Sequence, residues 1–137
     1  MAQQRLSKSS VVIIRAARQL LDVQGIDAML LLLDGATDWR RIAELTAGTS
    51  KPVIVAADLP NDLAGATEAG LKSLALNKEK APLLERLQHA ILEAAADEMI
   101  RPNGDVIAVY GGFQQGRLDS ISHLQLDERM RRLTSRD

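Results

Sequence analysis

Cysteine is absent from the sequence, and aromatic residues are scarce. The lack of cysteine excludes disulfide bonds, thiolate metal sites and cysteine nucleophiles, and it fits a protein of the reducing cytoplasm. The chain has one Trp, one Tyr and one Phe among its 137 residues, so the core has to be aliphatic. With 46% hydrophobic residues, the chain is rich enough in Val, Ile, Leu and Ala to fold around such a core.

An excess of charge of either sign and a long hydrophobic run are also missing. The net charge of −1 argues against a general nucleic-acid binder or a membrane-surface protein. The longest apolar run, residues 28–33, is far too short to span a bilayer, and residues 1–8 lack the apolar core of a signal peptide. A single domain in the cytoplasm is therefore expected.

Helix-like and strand-like patterns alternate along the chain in the order α-β-α-β-α-β-α-β-β. The predicted helices are residues 7–23, 39–46, 58–69 and 77–100, and the predicted strands are 26–33, 52–57, 71–76, 105–110 and 120–126. In the first helix the apolar face is Val12, Ala16, Leu20 and Val23, with Ser9 or Ser10 as the cap. In the last helix Arg86 is expected to face water.

Strands that alternate with helices imply a parallel sheet with right-handed crossovers. The last two strands share only a short loop, which leaves no room for a crossover, so they should be antiparallel. The predicted fold is a three-layer α/β domain over residues 1–126, with a mostly parallel sheet of about five strands and an antiparallel last strand. Residues 127–137 are predicted to be a charged tail or a linker.

The loop between the last two strands is the main candidate for ligand binding. Gly111, Gly112 and Gly116 permit close backbone approach, their amides could form an anion-binding concavity, and Arg117 would supply the counter-charge. The alternative is a hairpin that needs glycine only for its turn. The loop is not a P-loop, because it lacks the Lys-Ser/Thr ending and opens a strand rather than a helix.

Two further candidates are Asp34 and Asp58, which each follow an apolar strand. Ligands bind at the carboxyl ends of the strands in open parallel sheets, although both residues also suit a turn or a helix cap. His89 and His123 have no partners at metal-ligand spacing, and no nucleophile with a base is evident. We therefore predict no catalytic residue, no metal site and no cofactor.

The two remaining aromatic candidates are Trp39 and Phe113, each of which is either an exposed anchor or a packing residue.

Two segments of the chain resemble a known family. Residues 101–112 (RPNGDVIAVYGG), which close into residues 116–121 (GRLDSI), resemble the C-terminal α/β domain of pyruvate kinases. The closer likeness is to the pyruvate-kinase-like N-terminal domain of archaeal-type (DacZ-like) diadenylate cyclases, which ends in a similar glycine-rich loop and Gly-Arg-Leu-Asp-x-Ile. The resemblance covers residues 7–126.

The resemblance implies a non-catalytic domain that precedes a cyclase domain, which makes cyclic di-AMP from ATP and carries Asp-Gly-Ala and Arg-His-Arg motifs. This chain has Asp34-Gly35-Ala36 outside that context and no Arg-His-Arg, so it is expected to be the accessory domain alone. In pyruvate kinases the similar domain holds the allosteric phosphate-ligand site. The prediction is thus a regulatory, self-associating module that binds a phosphate-bearing ligand or nucleotide at residues 111–117. The alternative is a small nucleotide-binding protein or enzyme that acts at the strand ends.

Overall fold

The structure is a computed structural model that describes residues 5–77, 81–114 and 116–126. Its helices and strands follow the predicted order, with one exception given below. They are α1 (Lys8–Leu21), β1 (Ala28–Leu32), α2 (Trp39–Leu45), β2 (Val53–Ala57), a 3-10 turn (Pro60–Leu63), β3 (Lys72–Ala75), α3 (Leu83–Ala96), β4 (Asp105–Tyr110) and β5 (Ser120–Gln125). The predicted tail, residues 127–137, lies outside the described residues.

The five strands form one sheet in the order β3-β2-β1-β4-β5. β1 pairs in parallel with β2 and β4, and β2 pairs in parallel with β3. β5 runs antiparallel to β4 in an unbroken register from Asp105↔Gln125 to Tyr110↔Ser120. The predicted mostly parallel sheet with an antiparallel last strand is confirmed.

Both faces of the sheet are covered, which makes the predicted three layers. On one face Met29, Leu31 and Val55 pack under α1 and α2, and on the other Leu30, Ile54 and Val106 pack under α3. Every residue of β1 and β2 is buried, as expected for parallel strands covered on both sides. Among the described residues, no helix combines the length and the apolar character that crossing a membrane requires.

The prediction for the apolar face of α1 is wrong. Its core-facing residues are Ser10, Ile14, Ala17 and Leu21. The predicted face, Val12, Ala16, Leu20 and Val23, is exposed. The helix has two apolar stripes side by side, and the sheet covers only one of them. Its cap is Ser7, whose side chain accepts a hydrogen bond from the Ser10 amide.

The predicted helix over residues 58–69 is reduced to the short 3-10 turn. Gly65 has a φ of 93° and Ala64 has a ψ of 128°, so the chain leaves helical geometry directly after Leu63. The predicted helix over 77–100 is shorter as well, because Pro82 stands at its N-cap and Glu98 adopts a positive φ beyond its end.

The short helix α2 begins as predicted. Asp38 is its N-cap, and the Asp38 side chain accepts a hydrogen bond from the Arg41 amide.

Candidate functional site

The carboxyl ends of β1, β2 and β4 lie at one edge of the sheet. Chain order reverses around β1, because β2 lies on one side of it and β4 on the other. A crevice outside the carboxyl ends of two such strands is the usual ligand position in open α/β sheets. The predicted residues Asp34 and Asp58 follow β1 and β2, and the glycine-rich loop follows β4, so the topology collects all the candidates at this edge.

Arg86 of α3 joins the two aspartates. Its Nη2 lies 3.1 Å from Asp58 Oδ2, and its Nη1 lies 3.6 Å from Asp34 Oδ1. Arg86 is only 9% exposed, so the prediction that it faces water is wrong. One buried cation between two carboxylates leaves the cluster with a net charge of −1. Asp58 Oδ1 and Arg86 Nε are buried without a hydrogen-bond partner.

Asp119 fills the concavity of the glycine-rich loop. Its carboxylate accepts hydrogen bonds from the amides of Gly112 at 2.8 Å, Gln114 at 2.9 Å and Phe113 at 3.2 Å. The loop amides do converge on an anion as predicted, but within the described structure that anion belongs to the chain itself. An external anion at these three amides would have to displace Asp119, and its binding there stays a prediction.

The same hydrogen bonds change the acidity of Asp119. Desolvation raises the pKa of its carboxyl. The hydrogen bonds from Gly112, Ser120, Gln114 and Phe113 together lower this pKa by more than desolvation raises it. The pKa of Asp119 therefore lies below its ordinary value of 3.8. The carboxylate is charged at neutral pH, as its three amide donors require.

The glycines of the loop are needed for two different reasons. A Cβ on Gly111 would lie 2.5 Å from the Arg117 carbonyl oxygen, and one on Gly112 would lie 2.7 Å from Ser120 Oγ. Gly116 meets no neighbour but has a φ of 84°. Close approach to the chain's own atoms thus requires glycine at positions 111–112, and the positive φ favours it at position 116. Both needs are those of a hairpin turn, and the binding of a ligand by these glycines stays a prediction.

Asp34 connects the loop after β1 to the hairpin. Its Oδ2 accepts a hydrogen bond of 2.7 Å from the Gly116 amide, while its Oδ1 faces Arg86. Ser10 makes a similar connection from α1, because its buried Oγ accepts from the Leu118 amide at 2.9 Å. The start of α1, the loop after β1 and the hairpin therefore meet at one place.

A small cleft, which we call the loop cleft, lies where these three segments meet. It measures about 30 Å³, far below the roughly 300 Å³ and more of a typical ligand pocket and close to the roughly 30 Å³ that one water molecule occupies, so an anion such as phosphate would sit at its mouth. Arg5 and Arg117 line it and are both exposed, and neither forms an ion pair among the described residues. The remaining lining residues are Leu6, Ser7, Ser10, Leu33, Asp34, Gly35, Ala36, Thr37, Gly116 and Leu118.

The other polar candidates lie elsewhere. His123 Nε2 lies 3.0 Å from Asp105 Oδ1, at the end of the sheet where β4 begins and away from the carboxyl ends of the parallel strands. His89 pairs with Glu93 at 3.8 Å along α3. No group of three or more His, Cys, Asp or Glu residues that could hold a metal occurs in the described part of the chain.

The two aromatic candidates differ in exposure. Trp39 is buried and so is a packing residue, whereas Phe113 is 94% exposed at the tip of the hairpin loop.

Sequence reasoning missed two of the central residues, and each left a signal. Arg86 lies three residues after Leu83 and four before Ala90, on the apolar stripe of α3, where a charged residue requires a buried partner. Asp119 lies in the Gly-Arg-Leu-Asp segment that carries the family resemblance. A carboxylate directly after a glycine-rich turn is suited to accept the turn's amides.

The chain was compared with protein families and with proteins of known structure. The family model for the probable sensor domain DacZ_P matches residues 10–134. No curated protein gives a significant sequence match.

Three solved structures of pyruvate kinase from Cryptosporidium parvum, one of them in complex with ADP, share the fold. Their TM-scores are 0.65, 0.67 and 0.66 at 14%, 15% and 15% identity. Each alignment covers 88% of this chain but only 23% or 24% of the enzyme. The chain thus spans about a quarter of the length of these structures, and the likeness concerns the fold alone. The resemblance predicted from the sequence is confirmed for both families.

Proposed function

The chain belongs to the DacZ_P family of probable sensor domains, and from this we propose that it is the regulatory module of a DacZ-like protein and binds a phosphate-bearing ligand in the loop cleft. A sensor domain has to recognise something and pass the event on. The loop cleft offers charge for the first task and a contact between separate segments for the second.

The observation that carries the proposal is the pair of exposed arginines, Arg5 and Arg117, that line the loop cleft. Guanidinium groups bind phosphate through paired, charge-assisted hydrogen bonds. Among the described residues that line the cleft, Asp34 is the one carboxylate, and it already faces Arg86 and the Gly116 amide, so its charge is partly compensated. An entering phosphate group would therefore meet a net positive rim.

The hydrogen bond from Gly116 to Asp34 provides a route for the response. A phosphate group at the mouth of the cleft would compete with Asp34 for the amide of the exposed Gly116, because the amide can point at only one anion. If Asp34 is displaced, it remains next to Arg86, and the hairpin is released from the loop after β1. Ligand binding would thus be converted into a change between β1 and the β4–β5 hairpin.

The test is calorimetric titration of the wild-type chain with inorganic phosphate, ATP and cyclic di-AMP. Arg117→Ala should weaken the binding of whichever ligand is recognised by about ten- to a hundredfold, the loss of one charge-assisted contact. Arg15→Ala, on an exposed position of α1 away from the cleft, is the matched control and should bind like the wild type. Absence of binding at millimolar concentration, or equal binding by Arg117→Ala, would overturn the site.

The second candidate function, a small nucleotide-binding protein or enzyme, would use the strand ends. It is favoured by the unsatisfied buried atoms of Asp58 and Arg86, which resemble a polar cluster awaiting a partner. The description of the family as a sensor agrees better with a non-catalytic module. Incubation with ATP and Mg²⁺ followed by nucleotide chromatography separates the two functions, since only an enzyme would consume ATP.

The sensor role also implies partners. We expect a cyclase domain to follow this domain in the full-length protein, and we expect the domain to self-associate in the cytoplasm. Self-association is supported by the apolar side chains that the described part of the fold leaves exposed, among them Val12, Leu20 and Val23.

A further inference from the structure

Helix α1 carries a stripe of exposed apolar side chains, which continues into the turn after the helix. Val12 is 58% exposed, Leu20 40% and Val23 51%, and Ala16 is exposed between them. Val12, Ala16 and Leu20 follow one another at intervals of four residues, so they line up along one side of α1. Val23 lies in the turn that follows the end of the helix at Leu21. Scattered apolar residues on a surface need no explanation, but an aligned stripe indicates a contact.

An apolar groove extends this stripe toward the edge of the sheet. It encloses about 600 Å³ between the end of α1 and strands β4 and β5, and Leu20, Val23, Ile107 and Ile121 form its apolar wall. His123 and Asp105 stand at its rim, 3.0 Å apart. The stripe and the groove share Leu20 and Val23, so they form one surface.

Strand β5 borders the groove and is an unguarded edge. Within the described part of the chain, no strand pairs with its outer side. Its sequence, SISHLQ, contains no Lys, Pro or carboxylate, and its register with β4 has no bulge. Lys, Pro, charged residues and bulges are the features that usually protect an edge strand from pairing with another chain, and β5 lacks them. The other edge strand, β3, has only four residues and begins with the exposed Lys72, so it has the protection that β5 lacks.

We propose that two copies of the chain contact each other through this surface, which we call the α1–β5 surface. It is made of Val12, Ala16, Leu20, Val23, Ile121 and His123. The proposal rests on the self-association proposed above. Two β5 strands would pair antiparallel across a two-fold axis and continue the sheet from one copy into the other. Each copy would then place its α1 stripe over the groove of its partner. The small side chain of Ala16 lets the two helices approach closely.

The surface suits a second copy better than an unrelated chain. A two-fold contact requires one surface that is complementary to itself, with an uncharged strand facing an identical strand and a ridge beside a groove. Apart from His123, none of the six residues has an ionisable side chain, so two facing copies bring no like-charged pair together along the α1 stripe. A different partner would have to present both an edge strand and an apolar helix at the same spacing.

The experiment is sedimentation velocity over a range of concentrations on the full chain and three variants. Leu20→Glu puts a charge into the groove, and His123→Lys puts a permanent positive charge on the β5 edge, next to Asp105. Both should weaken the dimer at least tenfold. Leu84→Glu is the matched control, because Leu84 is 69% exposed on α3, which covers the opposite face of the sheet, and it should dimerise like the wild type.

The outcomes separate this proposal from the proposed function. A dimeric wild type that both variants weaken and Leu84→Glu does not would support the α1–β5 surface. A dimer unaffected by both variants would overturn this surface and leave self-association standing. A wild type that is monomeric at every concentration would overturn both. If circular dichroism shows that Leu20→Glu is unfolded, His123→Lys decides, since it alters an exposed side chain.

Discussion

At the scale of single residues, the site is organised by three carboxylates whose partners lie within the chain. Asp119 accepts hydrogen bonds from the amides of the hairpin loop, Asp34 accepts one from the Gly116 amide, and Asp58 forms an ion pair with Arg86. The predicted anion cradle exists as geometry, and its occupant in the described structure is a side chain. The ligand binding proposed above would require an external anion to replace one of these internal carboxylates, which makes these residues the first to test.

Removing Arg86 should destabilise the fold strongly. Arg86→Ala would leave Asp58 buried without its cation, and breaking a buried ion pair from one side costs about 3–5 kcal/mol. Most of that cost should come from Asp58, because the Asp34 side chain is 33% exposed and water screens its contact with Arg86. Urea denaturation monitored by circular dichroism measures the effect. Arg15→Ala is the control and should change the free energy of unfolding by less than about 0.5 kcal/mol; equal midpoints for the two variants would contradict the buried pair.

The pH dependence of the hairpin loop follows from Asp119. Because its folded-state pKa is lowered, the stabilisation it gives is complete above the ordinary value of 3.8 and is lost as the pH falls through the lower folded-state value. A carbon-13 NMR titration of the carboxyl should thus show a midpoint below 3.8. The amide resonances of Gly112 and Gln114 should move with the same midpoint. A midpoint above 3.8 would show that the three amide bonds do not persist in solution.

At the scale of elements, the sequence predicted what depends on local pattern and missed what depends on tertiary contact. All five strands were found, because short apolar runs bounded by Gly, Pro and Asp are clear local signals. The region of residues 58–69 was misread as a helix, since its Leu and Ala spacing is helical while Gly65 breaks the geometry. On α1 the two neighbouring apolar stripes cannot be ranked from the sequence, because only the position of the sheet decides which one is buried.

A side chain at Gly111, the first glycine of the loop between β4 and β5, should lower the stability of the fold. In Gly111→Ala, the new Cβ would lie 2.5 Å from the Arg117 carbonyl oxygen, so the backbone has to shift at a cost of about 1–3 kcal/mol. Gly35→Ala is the control: its Cβ meets nothing within 4 Å, and its φ is not positive. The thermal midpoint should fall for Gly111→Ala and stay within a few degrees for Gly35→Ala. Equal midpoints would mean that the loop is looser than described.

At the scale of the whole molecule, the candidate site was only partly predictable. Asp34, Asp58 and the glycine-rich loop were found because strand ends and glycine clusters are visible in sequence. That Arg86 unites two of them, and that Asp119 fills the loop, depends on how α3 packs against the sheet and how the hairpin closes. The same packing places the loop cleft at the carboxyl ends of the strands and leaves the α1–β5 surface exposed along one side of the sheet.

The isolated chain should make no cyclic di-AMP from ATP. The cyclase domain expected from the family resemblance carries an Arg-His-Arg motif, which this sequence lacks, and the Asp34-Gly35-Ala36 segment follows β1 with its carboxylate already facing Arg86 and Gly116. A carboxylate held by two internal donors is poorly placed to bind the metal ion of a nucleotide. The measurement is chromatography of a reaction with ATP and Mg²⁺ or Mn²⁺, with Asp34→Asn as the paired variant. Product that forms with the wild type and disappears with Asp34→Asn would mean that the strand ends are catalytic. Product that persists in Asp34→Asn would point to a contaminating cyclase, and that outcome is tested by repeating the assay after a second purification step.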